Sequence, residues 1–220
     1  MTTTDTIPGP AGNGQAPAPE AIAIDRIAAE TIAVPITGLT PLIMHRFSEK
    51  ARAIMLAAMQ GQAIPKEPKD PEAEYQAAFY RLRGGGYGMP AVAFKLATIG
   101  GARFYGRAVT MTALRQFLFF KGEPAQDGQS LVRIEGDPRM REDVVTVGRG
   151  GHDLRYRPQF DQWSATLVIR YVTSALTRGS VLSLVEAGGM GVGIGEWRPE
   201  RDGDFGTYAI DQDRDVEVLP

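Results

Sequence analysis

The 220 residues carry 24 Lys/Arg against 26 Asp/Glu, a net charge of −2, with 43% hydrophobic residues, 23% charged residues and no cysteine. This length permits one sizeable core. The near-neutral balance argues against an indiscriminate polyanion binder, and the missing thiols exclude disulfides, cysteine nucleophiles and cysteine-ligated zinc, which fits a cytoplasmic location.

In chain order, residues 1–20 are Thr, Pro, Gly, Ala and Gln with almost no large apolar side chain, so they are expected to form a disordered arm. A single α+β domain is expected over 21–220. Ala21–Ala29 reads as either a short helix or a strand. Thr31–Met44 is β-branched and alternating, and Pro35 and Pro41 direct it to an edge or bulged strand. Ser48 is an N-cap candidate for a helix whose buried face is Ala51, Ile54, Met55, Ala58 and Met59. Gly61–Pro71 is a loop. Glu72–Arg83 is a second helix, with Tyr75, Phe79 and Leu82 at helical spacing. Met89-Pro90-Ala91 opens a third, through about Arg103, with Val92, Leu96 and Ile99 inside and Lys95 and Arg103 outward. The helical insertion thus spans about 48–107.

Val109–Lys121 reads as a helical turn passing into a strand, and Leu131–Glu135 as a short strand. Val144–Val147 and Leu154–Arg157 can pair as a hairpin across Gly148–Gly151. Trp163–Val172 alternates strictly. Thr177 caps a helix to Ala187, a glycine-laced loop runs from Gly188 to Gly195, and Thr207–Ile210 is a last strand. The glycines allow either tight packing or close approach of a ligand backbone. They follow a helix rather than open one, which rejects a nucleotide-binding fingerprint.

No apolar run approaches the roughly 18 residues of a membrane span, so no membrane partner is expected, and the N-terminus has no basic start with an apolar centre. Neither histidine, His45 nor His152, has the partner spacing of a zinc motif, and no serine sits in a nucleophile elbow. No cofactor, metal or small-molecule substrate is indicated. Residues 45–121 hold 12 Lys/Arg against 5 Asp/Glu, whereas the remainder holds 12 against 21. That division suits a polyanion-binding face or head-to-tail self-association. Arg46, Lys50, Arg52, Arg81, Arg83, Lys95, Arg103 and Arg107 lie near Phe47, Tyr80, Tyr87, Phe104 and Tyr105. Cations neutralise phosphates and aromatic faces stack on unpaired bases.

Taken as β-α-β-β-α-β, the element order is a ferredoxin-like (RRM-like) core with large helical and irregular insertions. Three local features resemble the RAMP superfamily, RNA-binding proteins that form the backbone of CRISPR effector complexes. Thr37–Leu42 (TGLTPL) is similar to a first-strand G-x-T-P-L. Tyr87–Leu96 (YGMPAVAFKL) is similar to an I-P-G-S-S-L-K-G helix start, with Lys95 in the lysine position and Arg103 near the following arginine. Gly188–Gly195 with Phe205-Gly206 is similar to the terminal glycine-rich loop, which in the family lies against RNA. Ala91 and Val92 depart from its Gly-Ser, and Ala97 from its later glycine. Met140–Asp143, Asp153–Tyr156 and Gly195–Pro199 also look like phrases of uncharacterised phage and prophage proteins.

The resemblance implies a non-enzymatic binder of single-stranded RNA or DNA, phage-encoded, forming homo-oligomers along the strand in the host cytoplasm. The expected contacts are Arg46, Arg81, Arg83, Tyr87, Lys95, Arg103, Arg141, Arg155, Gly189, Gly191, Gly193 and Arg198, with Lys95 and the glycines in one groove. The alternatives are a virion assembly protein that mates through its charged faces, and a metal-independent RNA endonuclease using His45 or His152.

Overall fold

The computed structural model describes residues 26–62, 68–106, 109–147 and 150–220. The arm expected over 1–20, and Arg107 and Arg149, lie outside the described residues. In chain order the elements are β1 (Ala29–Gly38), β2 (Leu42–Ile43), α1 (Glu49–Met59), α2 (Pro71–Ala77), β3 (Tyr87–Pro90) and α3 (Ala91–Gly100), which a 3-10 stretch continues over Gly101–Tyr105. Then follow α4 (Met111–Phe117), β4 (Leu118–Lys121), β5 (Glu123–Pro124), β6 (Ser130–Ile134), β7 (Pro138–Val147), β8 (Gly151–Phe160) and β9 (Ser164–Val172). The last are α5 (Arg178–Gly191), a 3-10 turn at Pro199–Arg201, β10 (Tyr208–Ile210) and β11 (Glu217–Leu219).

The central sheet runs β10-β1-β9-β4, entirely antiparallel, with β11 also paired to β1. Counting β1, β4, β9 and β10 as the four core strands, the first and third lie in the middle and the fourth and second at the edges. With α3 between the first two and α5 between the last two, this is the ferredoxin-like order, and the α+β expectation is borne out. The strands turn Ile32, Val34, Ile36, Leu167, Ile169 and Tyr171 to one face, where Phe94, Val181 and Leu184 complete a single buried cluster. A hairpin sheet (β2-β8-β7) and a small sheet (β3-β6-β5) occupy the two insertions. Among the described residues no helix is long and apolar enough to cross a membrane.

Several expectations need correction. β1 is a central strand despite Pro35. The Pro35 carbonyl accepts from Asp211 N, so its ring nitrogen faces the same side, where the neighbouring strand breaks between β10 and β11. The missing donor costs nothing there. The second helix stops at Ala77 because tertiary contacts claim the residues beyond it. Phe79 stacks on Tyr87 at 4.3 Å, and Arg81 bridges Tyr87 across a turn where Gly85 and Gly86 have positive φ. The α1 stripe is not core: Ser48 caps the helix as expected, yet only Ala57 is buried, and Ile54, Met55 and Met59 are exposed. On α3, Val92 and Leu96 are 58% and 53% exposed, while Ala91, Phe94, Ala97 and Ile99 are buried.

The largest correction concerns the glycine-laced loop, which is helix as far as Gly191. A Cβ on Gly188 would come 2.4 Å from the Ala97 carbonyl oxygen, and one on Gly101 would come 2.7 Å from that of Leu184. Two helices in backbone contact leave no room for a side chain, so glycine persists there despite its low helix propensity. Gly188→Ala should destabilise the fold by about 2 kcal/mol through overpacking. Gly179→Ala, near the start of α5 where a Cβ would meet nothing closer than the Thr177 hydroxyl at 3.9 Å, should stabilise it by about 0.5 kcal/mol; paired urea titrations read both.

Candidate nucleic-acid interface

The exposed side of α3 forms one wall of a 540 Å³ groove, and the chain from Val192 to Arg201 forms the other. Its floor is apolar: Met89, Pro90, Val92, Ala93 and Leu96, with Val192 and Ile194 opposite. Four arginines, Arg103, Arg115, Arg198 and Arg201, and two glutamates, Glu196 and Glu200, edge it. The wall from Val192 onward is held by its own glycines. Gly193 and Gly195 take φ of 67° and 78°, and a Cβ on Gly195 would meet the Ile43 carbonyl at 2.5 Å. Glu200 occupies two of the arginines internally, pairing with Arg198 at 3.0 Å and Arg103 at 3.7 Å. Arg115 and Arg201 form no ion pair with any described residue.

The expected site residues divide among several places. Arg103, Arg198 and Gly193 meet in this groove. Lys95 does not line it: its Nζ donates to the Arg115 carbonyl at 3.1 Å and lies 5.5 Å from the Phe119 ring centroid. Gly191 packs on Phe104 and Gly189 is buried against Tyr208, so neither offers open backbone. Arg46 and Arg81 flank a separate cleft beside Tyr80, where Arg46 pairs with Asp127 at 3.3 Å and Arg81 stacks over Phe79 and Tyr87. Tyr87 is therefore packed against Phe79, Phe160 and Arg81 rather than free, and Arg83 is exposed on the neighbouring turn. Arg155 lines a larger cavity of 710 Å³ between the hairpin and the two insertion helices.

Arg141 belongs to an ion-pair network that fastens the hairpin to the wall of the groove. Its Nε donates to Asp143 at 2.7 Å, and its guanidinium lies about equally far from the Trp197 and Phe205 rings, 5.1 and 5.0 Å. Asp143 also accepts from Arg157, only 1% exposed, at 2.7 Å. Arg157 reaches Glu196 at 3.3 Å and covers the Trp197 ring at 4.9 Å. His45 Nδ1 lies 3.4 Å from Glu196. The hydrogen bond to His45 holds the Glu196 carboxyl below the usual range, aided by the Arg157 and Arg155 charges and opposed by burial. His152 stands apart, exposed near the hairpin tip opposite Thr146. Among the described residues no group of three or more His, Asp or Glu could hold a metal ion.

Sequence reasoning missed Arg115, Arg201 and the exposed pair Val92 and Leu96. Helical spacing alone placed those two in the core. The fold and groove together define a ferredoxin-like α+β protein with an apolar channel edged by arginines.

No family model matches the chain and no curated protein matches it. Among solved structures it is similar to Cmr6 from Pyrococcus furiosus, at 8% identity and TM-score 0.39 over 84% of this chain and 100% of that one. It is also similar to a chain of the Type III-B Cmr-beta complex bound to cognate target RNA, at 11% identity and TM-score 0.43 over 87% of this chain and 61% of that one. At these scores the fold assignment stands on the strand order rather than on the likeness.

Asp143→Ala leaves the buried Arg157 charge with only its longer contact to Glu196 and should cost about 3 kcal/mol in a denaturant titration. Because the folded-state pKa of Glu196 is depressed, its contribution is complete above the unfolded carboxylate value of about 4.3 and fades as pH falls through the lower folded value. Glu196→Gln should remove that part of the acid limb of a stability–pH curve.

Proposed function

We propose that the protein is a non-enzymatic binder of single-stranded nucleic acid that seats the strand along α3. The observation that carries this is the groove itself, an apolar floor of Val92 and Leu96 bordered by Arg103, Arg115, Arg198 and Arg201. Single strands present base faces and phosphates together, and proteins hold them with apolar or aromatic platforms beside cations. A duplex would bury its bases and leave the floor without a partner. The resemblance of Tyr87–Leu96 to a RAMP helix start supports RNA as the natural ligand, although its lysine, Lys95, lies outside the groove. Phage origin and side-by-side assembly on the strand belong to the same reading, supported by the phage-like phrases and by the uneven charge along the chain.

Arg103→Ala with Arg198→Ala should weaken binding of a fluorescent oligouridylate and reduce the slope of log K against log salt by about 1.4, at roughly 0.7 per lost phosphate contact. Glu200→Gln should act in the opposite direction, tightening binding, because it releases both guanidiniums from an internal carboxylate. Equal affinities for wild type and all these variants would overturn the assignment.

A further inference from the structure

The face of the central sheet opposite the helices carries chemistry that the groove does not use. Successive residues of a strand point to opposite faces. With Leu118 and Phe120 turned to the core, Phe119 and Lys121 of β4 point outward. Phe119 is an edge-strand aromatic left 47% exposed. Its cross-strand partner is Arg170, and that of Lys121 is Val168. Arg170 and Lys121 are exposed and form no ion pair with any described residue. From the helical side, Lys95 brings its ammonium to 5.5 Å from the Phe119 ring centroid. The same lysine donates to the carbonyl of Arg115, whose side chain edges the groove. Arg115, Lys95, Phe119, Arg170 and Lys121 thus follow one another from the groove around the β4 edge, with Glu123 and Glu135 sharing the cleft beside Lys121.

Resting on the reading above, we infer that the single strand leaves the groove at Arg115 and crosses the β4 edge, where a base stacks on Phe119 while Lys95, Arg170 and Lys121 take the flanking phosphates. A half-exposed phenyl ring beside cations that have no carboxylate partner offers a single strand a stacking face and phosphate contacts together. Stacking on an aromatic side chain tolerates any base, so Phe119 adds affinity rather than sequence selectivity. It lengthens the site beyond what the groove holds.

The test uses the full chain and long homopolymers, oligouridylate and oligodeoxythymidylate, the two arms separating RNA from DNA. Phe119→Ala should weaken binding by about ten-fold or more, and Phe119→Leu nearly as much, since the loss is of a stacking face. Phe119→Trp should keep the affinity and show fluorescence quenched on binding, a readout that a merely structural role would not give. Arg170→Gln with Lys121→Gln should lower the salt slope by about 1.4. If Phe119→Ala binds like wild type while the Arg103/Arg198 variant is weakened, the edge path is wrong and the groove stands. If neither set of variants changes affinity, both fail. If Phe119→Ala instead dissociates a nucleic-acid-free oligomer in sedimentation velocity with no change in oligonucleotide affinity, the patch is a contact between copies and the inference is overturned.

Discussion

The rest of the molecule depends on the backbone contact between α3 and α5. Gly101 meets the Leu184 carbonyl, Gly188 meets the Ala97 carbonyl, and Gly100 receives the Val192 side chain. Contacts of this kind fix how two helices lie over a sheet more tightly than interdigitated side chains, because nothing at the crossing can change rotamer. Once the crossing is set, α5 must end where it does. The chain emerging at Val192 then lies alongside the exposed face of α3, and the groove is the space left between them. The glycines are therefore indirect contributors: they shape the channel, and arginines on its rim supply the charge.

A second fastening secures the far wall. Burying Arg157 and Asp143 incurs a desolvation penalty that their pairing only partly offsets, so such a network is a weak source of stability and a strong source of position. Here it ties the β7–β8 hairpin to Glu196 and Trp197, and through Glu196 to His45. Trp197 holds a positive φ of 50°, uncommon for a bulky residue. Two guanidiniums packed near its ring help hold it in that conformation. The arginines of the hairpin that looked available in sequence are largely consumed in this way.

The core was legible because the central strands follow simple rules. Strict alternation from Trp163 to Val172, the caps at Ser48 and Thr177, and the β7–β8 hairpin each depend on local chemistry, and each appears in the structure, with Val144–Val147 facing Gly151–Leu154 rather than Leu154–Arg157. What failed depends on distant partners. Nothing near Gly188 announces that Ala97 will touch it, so a packing glycine read as a loop glycine. Spacing cannot say whether an apolar helix face meets a core or a groove, so Val92 and Leu96 were misplaced. The acidic tail hid β11, three residues that pair with β1 beyond the gap at Pro35. The arginine clusters were found, but which of them keep free charge is decided by Glu200, Asp127 and Asp143 from elsewhere in the chain.

The central claim is that the channel between α3 and the chain after α5 is where the strand lies. Methyl NMR during titration with a single-stranded oligonucleotide tests it most directly. The account predicts that the resonances of Val92, Leu96, Val192 and Ile194 shift progressively, while those of Val144 and Leu154 on the hairpin and Ile54 on α1 stay in place. Shifts confined to the hairpin and α1, with Val92 and Leu96 unmoved, would contradict it.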